Sequence, residues 1–140
     1  MESTFKPSDF TVLVVEDEES LLKLVTHILE MKGFRVLATP HSEAAYRKAK
    51  GHKEPIHLLL TDVRMDPHMS GCKLAVALRP LRPEMKVLYM SAFPASEIVR
   101  KEVESRTASM LRKPFTPTQL LATVQTVLES AVPASAFGQP

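Results

Sequence analysis

Apolar positions cluster in short runs, and several of those runs hand over to a polar residue at their C-terminal end. Thr11-Val12-Leu13-Val14-Val15 is followed by Glu16 and Asp17, and His57-Leu58-Leu59-Leu60-Thr61 by Asp62. Val87-Leu88-Tyr89-Met90 leads to Ser91, and Met110-Leu111-Arg112 to Lys113. Dense runs of this length read as strands over residues 10–15, 56–61, 86–90 and 107–111, with another over 34–38. Between them the period changes. Leu21, Leu22, Val25, Ile28 and Leu29 form one helical stripe. That helix begins near Glu18, with Asp17, Glu18 and Glu19 at the end its dipole favours for acids, and stops at Lys32-Gly33. Further helices are predicted over residues 42–50, 71–78 (stopped near Pro80) and 95–104, the last with Ser96 as a cap. Thr116-Pro117-Thr118-Gln119 supplies an N-cap, a first-turn proline and a capping-box glutamine ahead of the stripe Leu120, Leu121, Val124, Val127, Leu128.

The elements therefore alternate as (βα) five times, which implies a parallel sheet with helices on both faces. The run over residues 56–61 is the most continuously apolar, as a central strand covered on both faces must be. Right-handed crossovers leave few topologies. A flavodoxin-like three-layer sandwich, with strand order 2-1-3-4-5, places strands one and three side by side and brings Glu16, Asp17 and Asp62 to one crevice. In such sheets ligands bind at the carboxyl ends of the strands. Residues 1–9 read as a short polar leader, 10–130 as one domain, and 131–140 as a flexible small-residue tail.

A carboxylate closing a buried strand is costly unless the site uses its charge. Three such acids repel one another unless a cation sits among them, and hard oxygen donors suit Mg²⁺. Ser91 adds a hydroxyl and Lys113 a fixed positive charge. The set suits a tetrahedral phosphoryl group, with Asp62 as nucleophile forming an aspartyl phosphate. Singly, each residue has an ordinary reading: acids favour helix N-termini, serines cap turns, and lysines are surface charges. Their recurrence at strand ends in this order is what carries the chemistry.

Composition narrows the function classes. The 140 residues are 44% apolar and 24% charged, with 18 basic and 16 acidic residues and a net charge of +2. The bases are scattered, which argues against a nucleic-acid arm. Cys72 is the single cysteine, so no internal disulfide forms, and it reads as a small buried filler. No apolar stretch approaches the roughly 18 residues of a membrane span, and the N-terminus lacks a secretory apolar region, so a soluble cytoplasmic protein is expected.

The chain resembles the receiver domain of two-component response regulators over about residues 10–130. The carriers are Val12-Leu13-Val14-Val15-Glu16-Asp17-Glu18, Leu60-Thr61-Asp62-Val63-Arg64-Met65, Met69-Ser70-Gly71, Val87-Leu88-Tyr89-Met90-Ser91-Ala92 and Leu111-Arg112-Lys113-Pro114-Phe115. The resemblance implies that Asp62 accepts phosphoryl from a histidine kinase or histidine phosphotransfer protein. It implies that Glu16, Asp17, Asp62 and the backbone carbonyl of Arg64 hold Mg²⁺ (or Mn²⁺), and that Ser91 and Lys113 contact the phosphoryl oxygens. Ala92 and Pro114 border the pocket, and the Lys113–Pro114 peptide is often cis in this family. Ser91 would move on phosphorylation and change the face formed by helix 4, strand 5 and helix 5, where a downstream partner, an attached output domain or a second copy would bind. No enzymatic turnover is expected beyond self-phosphorylation from donors and autodephosphorylation.

Two positions depart from the family. Met65-Asp66-Pro67-His68-Met69 carries Asp66 as a one-residue insertion, which either caps the turn at Pro67 or alters phosphoryl lifetime and metal affinity. Met110 stands where many receivers carry an aromatic that swings inward with the hydroxyl residue. The flexible methionine predicts weaker coupling between Asp62 and helix 4. Of the histidines, His27 lies off its helix stripe, His41, His52 and His68 fall in turns, and His57 begins the third strand; none is expected to carry phosphoryl, while His68 could tune the pocket.

The alternatives are a pseudo-receiver that binds partners without phosphorylation, and a haloacid-dehalogenase-like phosphatase. The latter wants an acid two residues after its nucleophile, where this chain has Arg64. The chain reads as free-standing or as a receiver excised from a hybrid kinase or longer regulator, and its residues 87–92 are similar to receivers attached to sensor kinases.

Overall fold

A computed structural model describes residues 4–65, 69–92, 97–104 and 107–130. Their elements alternate as expected: β1 Thr11–Val15, α1 Glu19–Lys32, β2 Arg35–Thr39, α2 Ser42–Gly51, β3 Leu58–Asp62, α3 Gly71–Leu78, β4 Lys86–Ser91, α4 Glu97–Glu104, β5 Ser109–Arg112 and α5 Pro117–Glu129. The five strands form one parallel sheet in the order β2-β1-β3-β4-β5. This is the flavodoxin-like order, with β1 and β3 adjacent through Val14↔Leu60 and Val15↔Thr61.

Strand periodicity of two divides the core into layers. Leu13, Val15, Leu59, Val87 and Tyr89 face α2, α3 and α4 with Ala45, Leu74, Ala75 and Val99. Val12, Val14, Leu58, Leu60, Leu88 and Met90 face α1 and α5 with Val25, Leu29, Leu120 and Val124. β1 is buried throughout, whereas the edge strands β2 and β5 are half covered. Each fully buried leucine contributes about 2 kcal/mol of transfer free energy, and β1, β3 and β4 bury their apolar side chains against helices on both faces.

Helix ends follow local chemistry. Gly33 ends α1 with φ of 113°, and its N–H donates to the carbonyls of Glu30 and Leu29. The Thr116–Gln119 capping box forms in both directions. His41 lies at the start of α2 rather than in a free turn: its Nδ1 accepts the Ala44 N–H at 3.2 Å. Lysines and arginines close other helices. Arg82 reaches the carbonyls of Ala49, His52 and Glu54 beyond α2, and Lys86 those of Val127, Leu128 and Ser130 at the end of α5.

Strand boundaries shift slightly from expectation. β3 begins at Leu58, not 56, because its ladder to β1 and β4 starts at Leu58↔Val12 and Leu58↔Lys86. His57 precedes it, its Nδ1 accepting the Thr11 N–H at 2.9 Å. β5 begins at Ser109, not 107, because the N–H groups of Thr107 and Ala108 donate to the Glu102 carbonyl and finish α4. Asp62 and Ser91 are the last residues of their strands rather than the first beyond them. The leader is packed where it is described: Phe5 stacks on Phe10 at 4.9 Å and meets Phe34 edge-on at 6.1 Å, ahead of a 3-10 turn at Pro7–Asp9. Asp66, His68 and Ser96 lie outside the described residues. No helix among the described residues is long and apolar enough to cross a membrane.

Candidate functional site

The parallel register delivers Glu16 from β1, Asp62 from β3 and Lys113 from β5 to the C-terminal edge of the sheet. Lys113 Nζ donates to Glu16 Oε1 at 2.8 Å and to Asp62 Oδ2 at 3.0 Å, bridging two carboxylates. The remaining oxygens are also used: Glu16 Oε2 accepts the Glu18 N–H at 3.1 Å, and Asp62 Oδ1 accepts the Arg64 N–H at 3.2 Å. Asp17 is exposed beside them, and oxygens of Glu16, Asp17 and Asp62 lie within 4.8 Å of one another.

Charge is concentrated here at low exposure. Glu16 is 1% exposed, while the side chains of Asp62 and Lys113 are 15% and 17% exposed. Burial pushes the Glu16 carboxyl above the usual carboxylate range, although the Lys113 and Glu18 hydrogen bonds oppose it. Burial acts to lower Lys113, but its hydrogen bonds to Glu16 and Asp62 outweigh that and hold it above the ordinary lysine value. Two carboxylates thus share the Lys113 ammonium, and a third, Asp17, lies beside them. An all-oxygen donor set carrying surplus negative charge, one member buried, fits a small divalent cation.

Backbone hydrogen bonds past the strand ends make the frame rigid. The Lys113 N–H donates to the Ser91 carbonyl at 2.8 Å, and the Val63 N–H to that of Met90 at 3.1 Å. Lys113–Pro114 is cis. Ser91 is buried at the end of β4, Ala92 is exposed just beyond it, and Met110 packs partly buried against the α3–α4 side of the sheet. All the expected site residues that are described therefore sit on this edge or the strands leading to it.

Three contributions were not legible in the chain. The N-terminus of α3 approaches β3 so closely that a Cβ on Gly71 would stand 2.1 Å from the Asp62 carbonyl oxygen. Gly71 was visible as part of a motif, but the steric demand was not. The N-terminus of α2 holds the loop before α3: Ser42 Oγ donates to the Met69 carbonyl, and the Met69 N–H donates to Glu43 Oε2 at 3.3 Å. On the far side of Ser91, Tyr89 Oη donates to Glu102 Oε2 at 2.9 Å, and Arg79 pairs with Glu102 Oε1 at 2.5 Å. Residues separated by 27 and 13 positions give no local signal of pairing.

An open parallel sheet with an acidic, lysine-bridged cluster at its carboxyl edge has that cluster where doubly wound α/β proteins bind their ligands. Residues 12–125 match the model of the response regulator receiver domain, and the chain belongs to that family. It is 29% identical over 120 residues to the response regulator receiver protein CpdR of Brucella abortus, covering 86% of this chain and 98% of that one. It is 30% identical over 127 residues to the alkaline phosphatase synthesis transcriptional regulatory protein PhoP of Bacillus subtilis, covering 89% of this chain but 52% of the relative. Among solved structures, the response regulator receiver protein of Sinorhizobium medicae superposes with a TM-score of 0.75 at 30% identity, over 86% of this chain and 95% of the other. The fold expected from the strand pattern is the fold these relatives share.

Proposed function

We propose that this receiver is a phosphorylation switch whose phosphoacceptor is Asp62, served by a histidine kinase or histidine phosphotransfer protein. The observation that carries the reading is the bridge from Lys113 Nζ to Glu16 and Asp62 at the sheet edge of a receiver-family chain. An Asp62 carboxylate oxygen attacks the donor's phosphorus. The O–P bond forms as the N–P bond to the donor imidazole breaks, and the imidazole nitrogen leaves. Lys113 then stands against a phosphoryl oxygen, and the Ser91 hydroxyl donates to another. Glu16, Asp17, Asp62 and the Arg64 carbonyl would hold Mg²⁺ (or Mn²⁺), which when bound neutralises charge on the phosphoryl oxygens. Water attack on phosphorus later returns the carboxylate and releases inorganic phosphate.

The receiver unit under this reading is residues 10–130, and the output is a population shift at the α4–β5–α5 face toward a protein partner, an attached output domain or a second copy. It acts as a cytoplasmic signalling phosphoacceptor and not as an enzyme on external substrates, and nothing in its dispersed charge points to direct nucleic-acid binding. Ala92 and Pro114 border the pocket and tune lifetime rather than perform chemistry.

The test is intact mass after incubation with Mg²⁺ and acetyl phosphate. One added phosphoryl group is expected, absent in Asp62→Asn and in EDTA. Absence of labelling from every donor, together with no beryllofluoride binding, would establish the pseudo-receiver instead.

A further inference from the structure

Glu102 is the junction of the switch side of the molecule. Its carboxylate accepts from the Tyr89 hydroxyl of β4 through one oxygen and pairs with Arg79 after α3 through the other. Its main-chain carbonyl accepts from the Thr107 N–H at 2.8 Å and the Thr107 hydroxyl at 3.1 Å, on the approach to β5. Arg79 also reaches the Thr107 carbonyl at 3.4 Å. One residue of α4 is thus tied to β4, to the end of α3 and to the entry of β5. Among the described α4 side chains, Val99 is the one fully buried apolar anchor, and Glu102 supplies the polar ties.

Tyr89 and Ser91 are two residues apart on β4 and share one face of the sheet. Tyr89 is fully buried, and its register partner on β5 is Met110. Burial, and then the charge of Glu102, hold the Tyr89 phenol protonated well above its usual range, so it remains a donor at any physiological pH. Met110 has no polar atom able to grip α4 and no ring with two defined seats.

We propose that Tyr89 and Glu102, braced by Arg79, are the positioning pair that transmits events at Ser91 to α4, and that Met110 is a passive filler beside them. The proposal rests on Asp62 being the phosphoacceptor. A phosphoryl group on Asp62 draws Ser91, the adjoining β4 backbone carries Tyr89 with it, and the Tyr89–Glu102 hydrogen bond moves α4 as a body. A structural cross-link alone would hold α4 without responding to Asp62.

The experiment records amide NMR shifts of Val99 and its α4 neighbours in the full chain, before and after beryllofluoride and Mg²⁺, with bound fluoride read independently by ¹⁹F NMR. The wild type, Tyr89→Phe, Glu102→Ala, Glu102→Gln and Met110→Ala are compared. Tyr89→Phe and Glu102→Ala are expected to bind beryllofluoride normally, yet lose more than half of the α4 response. Glu102→Gln, which keeps acceptor oxygen and shape, restores part of it, and Met110→Ala leaves it near wild type. A full α4 response in Tyr89→Phe, or its loss in Met110→Ala alone, would overturn the proposal while leaving the phosphoacceptor reading intact. Absence of both beryllofluoride binding and acetyl phosphate labelling in the wild type would overturn the two together. Tyr89→Phe removes a single oxygen atom, so it keeps the test open should Glu102→Ala fail to fold.

Discussion

Lys86 opens β4 at the N-terminal edge of the sheet, and Lys113 follows β5 at the C-terminal edge. Their ammonium groups are pushed in opposite directions. Among the described residues Lys86 donates to the carbonyls that end α5, and burial lowers its pKa. Lys113 is also penalised by burial, but two carboxylates reverse the sign. The same division runs along both edges. At the N-terminal edge Arg82 and Lys86 close helix C-termini, where the macrodipole favours cations, and Phe5 stacks on Phe10 and meets Phe34 edge-on. At the C-terminal edge carboxylates outnumber the cation that holds them. Among the described residues, the cations Arg82 and Lys86 at one edge are met by main-chain carbonyls, while at the other Glu16, Asp17 and Asp62 gather around Lys113, an arrangement that suits a bound cation. Two lysines at strand ends are equivalent on paper, and what faces them makes one a cap and the other part of a site.

The glycines at the two edges give the largest contrast. Gly71→Ala would drive a Cβ into the main chain of Asp62 and is expected to cost about 3 kcal/mol in urea unfolding. Gly33→Ala at the other edge meets the Pro7 Cβ at an ordinary 3.5 Å, so the cost is that of a left-handed φ, about 1 kcal/mol. Equal costs would show that α3 can retreat from β3, and would undo the claim of a rigid acidic edge.

The lysines come next. Lys113→Met is expected to slow acetyl phosphate labelling about 100-fold, as loss of a positioned cation at developing charge does. Lys86→Met should leave labelling within about twofold while costing about 1 kcal/mol in thermal unfolding through lost carbonyl hydrogen bonds. Labelling rates by mass spectrometry and melts on the same samples decide it, and similar labelling by the two variants would break the comparison.

The smallest effect is a pH dependence confined to the N-terminal edge. Burial, and then the charge of Arg35, depress the His57 pKa, with Asp9 opposing. The neutral ring is the form that accepts the Thr11 N–H through Nδ1. A group depressed on folding contributes stability that is present above its unfolded value, about 6.5, and is lost as pH falls through the lower folded value. Stability should therefore decline below about pH 6.5 more steeply in the wild type than in His57→Asn. Identical profiles in urea titrations at stepped pH would show that this edge is indifferent to the ring's charge.

The chain by itself settled the alternation of strands and helices, because periods of two and of 3.6 are local, and it settled the capping box at Thr116, because every partner lies within one turn. It also exposed Glu16, Asp17, Asp62, Ser91 and Lys113, since a polar residue ending an apolar run is visible wherever the run leads. Strand limits were less legible: where β5 starts depends on Glu102 drawing in the Thr107 and Ala108 amides, a tertiary event. Only the folded structure decided that Lys113 reaches both Glu16 and Asp62 across 97 and 51 residues, that a glycine must stand beside Asp62, and that Tyr89 grips Glu102. The physical reason is the same in each case. A strand's period tells which way a side chain points, but what it meets there depends on sheet order and helix placement, which are set by the packing of the whole chain.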